Sequence, residues 1–280
     1  TQPIIGTQIN FKIGETIGLL PLFALNEAGY KNIIELSSLS YLKNDELSDP
    51  HVDFELLLNN SEGVAVFSGT VFGLFGKLFD KGKFTEIDET YSKIKKTFDD
   101  RFYIEIQRHN DQNEIGFEKF NLKKSLDLEI PIIATNEVFY LDKEMHEAHD
   151  ALICIGNKTY VNEKNRLRLT DQHYLKTNSE MSELFADLPE ALENNYNFPL
   201  RCSYRPLFSN PILPNISSDK DGNADEILKK DSIEGLKIKF NKIFNLSDKD
   251  LENNNSYKEY KDRLNHELSI IIEMKYSSYF

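Results

Sequence analysis

The sequence predicts an α/β protein, strands joined by crossover helices, followed by a smaller helical segment. Three observations predict it. Between Ile4 and Leu200, short β-branched or aromatic runs alternate with segments of helical period. Five of the nine prolines then crowd between Pro189 and Pro214, where neither regular helix nor central strand tolerates them. Beyond the polar stretch Asn215–Asn223, residues 224–280 show helical character, broken at Asn253-Asn-Asn-Ser256. The order β-α-β-α-β-α fits a barrel or a doubly wound layer and argues against all-α and all-β folds.

Taken in order, Gln2-Pro-Ile-Ile-Gly6 reads as the entry to a strand, and Val64–Phe67 as a short buried strand bounded by Gly63 and Gly69. Phe84, Ile87, Tyr91, Ile94 and Phe98 form one apolar stripe on a helix whose other face carries Glu86, Asp88, Lys93 and Lys96. Phe102–Ile106 alternates as a strand, with Phe102, Ile104 and Ile106 on one face. A helix around Phe117–Leu128 and a strand at Ile130–Ala134 follow, then a helix from Asp142, its N-cap, to Ile155, with Gly156 as its stop. The expected divisions are 1–205, a linker at 206–223, and a helical segment at 224–280 that is too short for an independent domain. Thr1 leads into a strand entry and not a start codon, tag or signal peptide, and Phe280 ends an apolar amphipathic stretch with no cap after it, so truncation is expected at both ends.

The 280 residues carry 33 Lys and Arg against 46 Asp and Glu, a net charge of −13, which disfavours stand-alone tight binding to a phosphate backbone. Two widely separated cysteines, Cys154 and Cys202, make neither a disulfide framework nor a four-thiolate zinc site, and suit a reducing cytoplasm. No apolar run is long enough to span a bilayer.

His146 and His149 share a predicted helix in His-Glu-Ala-His-Asp, but metal-binding helices of the zinc-protease type need histidines at i and i+4, and that position is Asp150. With Met145 and Leu152 on its stripe, His149 reads as a core histidine. Strand ends offer more, because the carboxyl ends of strands hold the site in α/β barrels. Glu105 and His109 end one strand and Glu137 ends the next, an oxygen and nitrogen set that Mn²⁺, Fe²⁺ or Zn²⁺ accepts. The residues alone favour a plainer account, with Glu105 paired to a Lys or Arg and His109 in a solvated loop. The glycines of Phe67–Gly76 match neither a dinucleotide fingerprint nor a P-loop, and a turn into a helix suffices. Cys154 reads as a buried inert thiol.

Gln2–Gly6, Asn26-Glu-Ala-Gly-Tyr-Lys-Asn-Ile-Ile34, Ser68-Gly69, Tyr103–Gln107, Ala134-Thr-Asn-Glu-Val138, Ala148–Ile155, Asn165-Arg-Leu-Arg168 and Glu183–Asn194 come in the order of one family. The chain resembles the alpha subunit of bacterial DNA polymerase III, the replicative C-family polymerase. The resemblance implies a polymerase-and-histidinol-phosphatase (PHP) domain up to about Arg205, a distorted β/α barrel incomplete at its N-terminus. Residues after the linker, including Ile233–Leu236 and Arg263–Leu268, look like the entry to the palm.

In that family the PHP barrel can bind a metal cluster, and some members hydrolyse phosphoesters there. This chain departs at three such positions: Gln8 stands where ligand-bearing relatives carry Glu or Asp, Thr70 where many have Cys, and Phe139 where they have His. Phenylalanine cannot coordinate metal, and a neutral amide is a poor ligand for a hard cation. Glu105, His109, Glu137 and His149 are then vestigial ligands. The resemblance implies a parent DNA-directed DNA polymerase that uses Mg and whose catalytic aspartates lie beyond Phe280, so no catalytic residue is expected here. No cofactor is expected in this chain, with Mn, Zn or Fe only if the PHP site works. Implied partners are the remainder of the alpha subunit, the epsilon proofreading subunit, and the sliding clamp and DNA through other domains, with no membrane and a cytoplasmic location. The leading expectation is a degenerate docking module. The rival is a metal-dependent phosphoesterase or 3′–5′ exonuclease, and an unrelated sugar- or phosphate-processing barrel is a third reading. The degenerate site predicts Phe139 near His109 and Glu137.

Overall fold

A two-residue loop, Gly14-Glu15, turns β1 (Ile5–Ile13) back onto β2 (Thr16–Ala24) in antiparallel register, Ile5 opposite Ala24 and Ile13 opposite Thr16. Gly14 supplies the left-handed backbone the loop requires, at φ 54°. Strand β1 buries Ile9 and Phe11 on one face, but β2 buries Leu20, Pro21 and Leu22 in succession. That break in alternation hides the hairpin from a period-2 reading, which saw only a strand entry at Gln2–Gly6.

The computed structural model describes residues 2–42, 44, 48–209, 223–244, 248–251 and 253–280. Thr1 and most of the expected linker, 210–222, lie outside the described residues. The chain divides into two compact units, Thr1–Pro206 and Leu207–Phe280.

In the first unit, the hairpin leads into α1 (Glu27–Leu42), β3 (Val52–Asp53), α2 (Phe54–Asn59), β4 (Val64–Phe67), α3 (Leu74–Asp80) and α4 (Phe84–Phe98). Then come β5 (Phe102–Ile106), α5 (Gln112–Leu128), β6 (Ile132–Ala134), α6 (His146–Asn157), α7 (Asn178–Leu184) and α8 (Pro189–Asn197). The fold is mixed α/β, with a six-stranded sheet in the order β3-β1-β2-β4-β5-β6. Strands β4, β5 and β6 run parallel, as the crossover pattern implies, while β2 meets β4 antiparallel. Among the described residues no ladder joins β3 to β6.

Every residue of β4, β5 and β6 is buried, so these strands are covered on both faces. The main core packs Phe75, Tyr91, Phe98 and Phe102 on one face. A second cluster of Phe67, Tyr103, Ile133, Phe198 and Cys202 covers the other, because the segment after α8 folds across it. The outer carbonyls of β6 do not face another strand. The Asn194 and Asn195 side-chain amides of α8 donate to Ile132 O and Ala134 O at 2.8 and 2.7 Å. Helix α1 approaches the chain before β4 so closely that a Cβ on Gly29 would fall 1.9 Å from the Gly63 carbonyl oxygen.

Two helix boundaries differ from the sequence reading. Helix α5 starts at Gln112 because Asp111 and Glu114 form a capping box ahead of the apolar period. Asp142 caps only a 3-10 turn, Lys143–Met145, without using its side chain, and α6 runs through Gly156 to end on Lys158 in left-handed conformation. In the second unit, α9 (Ala224–Phe244), α10 (Asp248–Leu251) and α11 (Asn255–Glu273) enclose Phe240, Leu251 and Tyr257.

Candidate functional site

The parallel strands β4, β5 and β6 deliver Ser68-Gly69, Gln107-Arg108-His109 and Thr135-Asn136-Glu137 side by side at their carboxyl ends. The ladders continue past the strands, with Ser68 N–H donating to Tyr103 O at 2.9 Å and Thr135 N–H to Ile106 O at 3.1 Å. Glu105 is buried within β5. Its backbone N–H donates to Ser68 Oγ at 2.9 Å, and its Oε1 accepts from Gln107 Nε2 at 3.0 Å and from the Thr135 hydroxyl. These neutral donors replace the expected Lys or Arg partner, which the covered strand leaves no room for. Burial pushes the Glu105 carboxyl up, the bonds from Thr135 and Gln107 oppose that, and the Glu137 charge adds to it.

His109 is 1% exposed, not solvated. The α5 capping box explains the correction. Glu114 accepts from the His109 backbone N–H at 2.7 Å and faces Nδ1 at 2.9 Å, so the segment before the helix is drawn onto its first turn. Thr170 closes the other side, donating to His109 O at 2.5 Å. With the proton placed on Nδ1 by Glu114, Nε2 accepts the Glu137 backbone N–H at 3.2 Å. The Glu137 side chain is half-buried; burial raises its carboxyl, His109 lowers it and Glu114 raises it.

Sequence reasoning missed His173, which no motif or period marks. The chain after α6 returns to the strand ends, where Phe139 N–H donates to His173 O at 2.9 Å. This stacks the His173 ring on His109, centroids 4.0 Å apart and planes 2° from parallel. His173 is buried, its Nδ1 faces Glu137 O at 3.1 Å, and burial together with His109 lowers its pKa to about 4. Phe139 packs against His173 and His149, each at 5.4 Å between centroids, and Tyr140 lies 5.4 Å from His149.

His149 is therefore no satisfied core histidine. Its neighbours Met145 and Leu152 are exposed, the buried face of α6 carries Asp150 and Cys154, and His149 Nδ1 is buried without a hydrogen-bond partner among the described residues. Asp150 is instead held by Arg166 through two bonds of 2.5 and 2.6 Å, which tie the loop after α6 to the helix. Glu137 thus feels Glu105 and His109 through charge, without the three being grouped as an ion-binding set among the described residues, and Phe139 packs between His173 and His149. Thr70 lines one cavity with Glu105. Gln8 is exposed on β1, opposite Pro21, away from these contacts.

Two contacts at His109 oppose a metal ion there. A ligating imidazole needs a free lone pair, and that of His109 Nε2 accepts the Glu137 amide. Lys176 brings a positive charge to the same place, its Nζ donating to Asn136 Oδ1 at 3.2 Å, while Asn136 Oδ1 lies 3.2 Å from His109 Nε2. Among the described residues no three His, Cys, Asp or Glu are grouped to hold an ion. No described helix is long and apolar enough to cross a membrane.

Residues 1–109 match the PHP domain family. Over its full length the chain is 36% identical to the DNA polymerase III subunit alpha of Rickettsia conorii, covering 24% of that protein. The corresponding subunit of Caulobacter vibrioides is 36% identical over 93% of the chain, and that of Pseudomonas aeruginosa 31% identical over 100%. The chain spans about a quarter of the length of these curated relatives, 24%, 22% and 24% respectively.

Proposed function

Because this chain is homologous along its whole length to one segment of the DNA polymerase III alpha subunit, we propose that it serves chromosome replication as a PHP-type structural and docking module. One observation carries this reading: the lone pair a metal would need on His109 is engaged by the Glu137 backbone amide at 3.2 Å. The parent activity we infer is DNA-directed DNA synthesis with Mg, its catalytic residues outside this sequence, in the cytoplasm. Residues 206–223 would join the PHP-type unit to the first palm helices. The partners we infer are the rest of the polymerase subunit and the epsilon proofreading subunit, with the sliding clamp and DNA engaged through other domains. Leu152 and Ile155, exposed three residues apart on α6, supply apolar surface of the kind docking uses.

The test measures bound metal and phosphoesterase activity on the purified chain supplied with Mn²⁺, Zn²⁺ or Fe²⁺. We expect neither stoichiometric metal nor release of phosphate or nucleotide. Metal-dependent release that Glu137→Ala abolishes would falsify the docking reading in favour of a working phosphoesterase or 3′–5′ exonuclease.

A further inference from the structure

Buried polar groups from the end of β4 and from β5, α4 and α5 meet in the core. The Glu105 backbone N–H of β5 donates to Ser68 Oγ, just past β4, at 2.9 Å. Tyr91 on α4 donates to Asn121 Oδ1 on α5 at 3.0 Å, and the Ser68 hydroxyl lies beside the Tyr91 phenol. Tyr91, Ser68 and Asn121 are completely buried. Tyr91 has one hydrogen to give, and giving it to Asn121 sets the amide with its oxygen toward Tyr91. Its NH₂ must then find an acceptor elsewhere.

Two buried atoms here have no hydrogen bond of ordinary geometry among the described groups: Asn121 Nδ2, a donor, and Glu105 Oε2, an acceptor, with the Gly69 backbone N–H also against the Glu105 carboxyl. Both residues line one cavity of about 10 Å³, together with Gly69, Thr70, Gln107 and Glu114. That is about the smallest space that holds a single water, and orphaned buried polar groups cost about 1–3 kcal/mol each if left unpaired. We propose that this cavity is a binding site for one ordered water, which accepts from Asn121 Nδ2 and donates to Glu105 Oε2. The water joins α5 to β5, and through the Tyr91–Asn121 bond it ties α4 to the same strand. A cation is disfavoured, because the Asn121 NH₂ would point its hydrogens at it.

A crystal structure of the chain, at a resolution that shows waters, tests the proposal. The expected result is one peak within about 2.7–3.2 Å of both Asn121 Nδ2 and Glu105 Oε2. In Asn121→Leu, which removes the donor, the peak should be lost. Should that variant fail to fold, the wild-type chain in solution gives the second readout, a nuclear Overhauser cross-peak between the Asn121 side-chain amide and water. Absence of the peak, or a direct Asn121–Glu105 bond, overturns the proposal. So does a peak surrounded by oxygens at about 2.3–2.6 Å that thallium or manganese replaces on soaking, since it would be a cation.

Discussion

Replacing His173 with glutamine should remove much of the acid sensitivity of this chain. In the folded state the His173 pKa is lowered from 6.5 to about 4 by burial and by the stacked His109 ring. The unfolded chain therefore binds the proton more readily between those values, and stability is lost as pH falls from about 6.5 toward 4. At about 1.4 kcal/mol per pH unit, the full loss is about 3 kcal/mol, of which roughly 2 kcal/mol falls between pH 8 and pH 5. For a chain of this size that corresponds to roughly 4–8 °C in Tm. Glutamine does not titrate and retains a donor for the Glu137 carbonyl. Urea or thermal unfolding of both proteins at the two pH values measures the difference, and the wild type should lose about 2 kcal/mol more than His173→Gln. Equal losses in the two proteins would refute the claim that the buried, stacked imidazole is held neutral.

Glu105→Gln should act with the opposite sign: a carboxyl raised by burial weakens the fold as pH rises above its unfolded value near 4.5, so the variant should gain on the wild type between pH 5 and pH 8 in urea midpoints. Arg166→Met should lower the urea midpoint, because it removes the two bonds of 2.5 and 2.6 Å that hold Asp150 and leaves it only Arg168 at 3.9 Å. Gly29→Ala should lower Tm by several degrees, since its Cβ would lie 1.9 Å from the Gly63 carbonyl oxygen and a helix must move. Phe139→His places a third imidazole beside His149 and His173; on the docking reading elemental analysis should still find no stoichiometric zinc, and one zinc per chain would count against it.

Elements with a clean period were legible in the sequence. The stripe from Phe84 to Phe98 and the run Val64–Phe67 coincide with α4 and β4. The hairpin was hidden where both faces of β2 are buried, and the start of α5 where capping acts before the apolar pattern begins. At the site, strand-end logic pointed to Glu105, His109 and Glu137, of which Glu137 feels both others through charge. What it could not supply was their surroundings. His109 is dry because Glu114 and Thr170 enclose it, and Thr170 is 61 residues away in sequence. His173 arrives by the same long-range return, on which local spacing carries no information.

The outer rim of β6 has a consequence for self-association. A strand end with free carbonyls invites any extended peptide to add on, the usual route to runaway sheet growth and swapped oligomers. Here Asn194 and Asn195 already satisfy those acceptors, and the opposite rim, β3, is only two residues long. Two asparagines thus act as gatekeepers: losing both would open a three-residue template at one margin without disturbing a single core side chain.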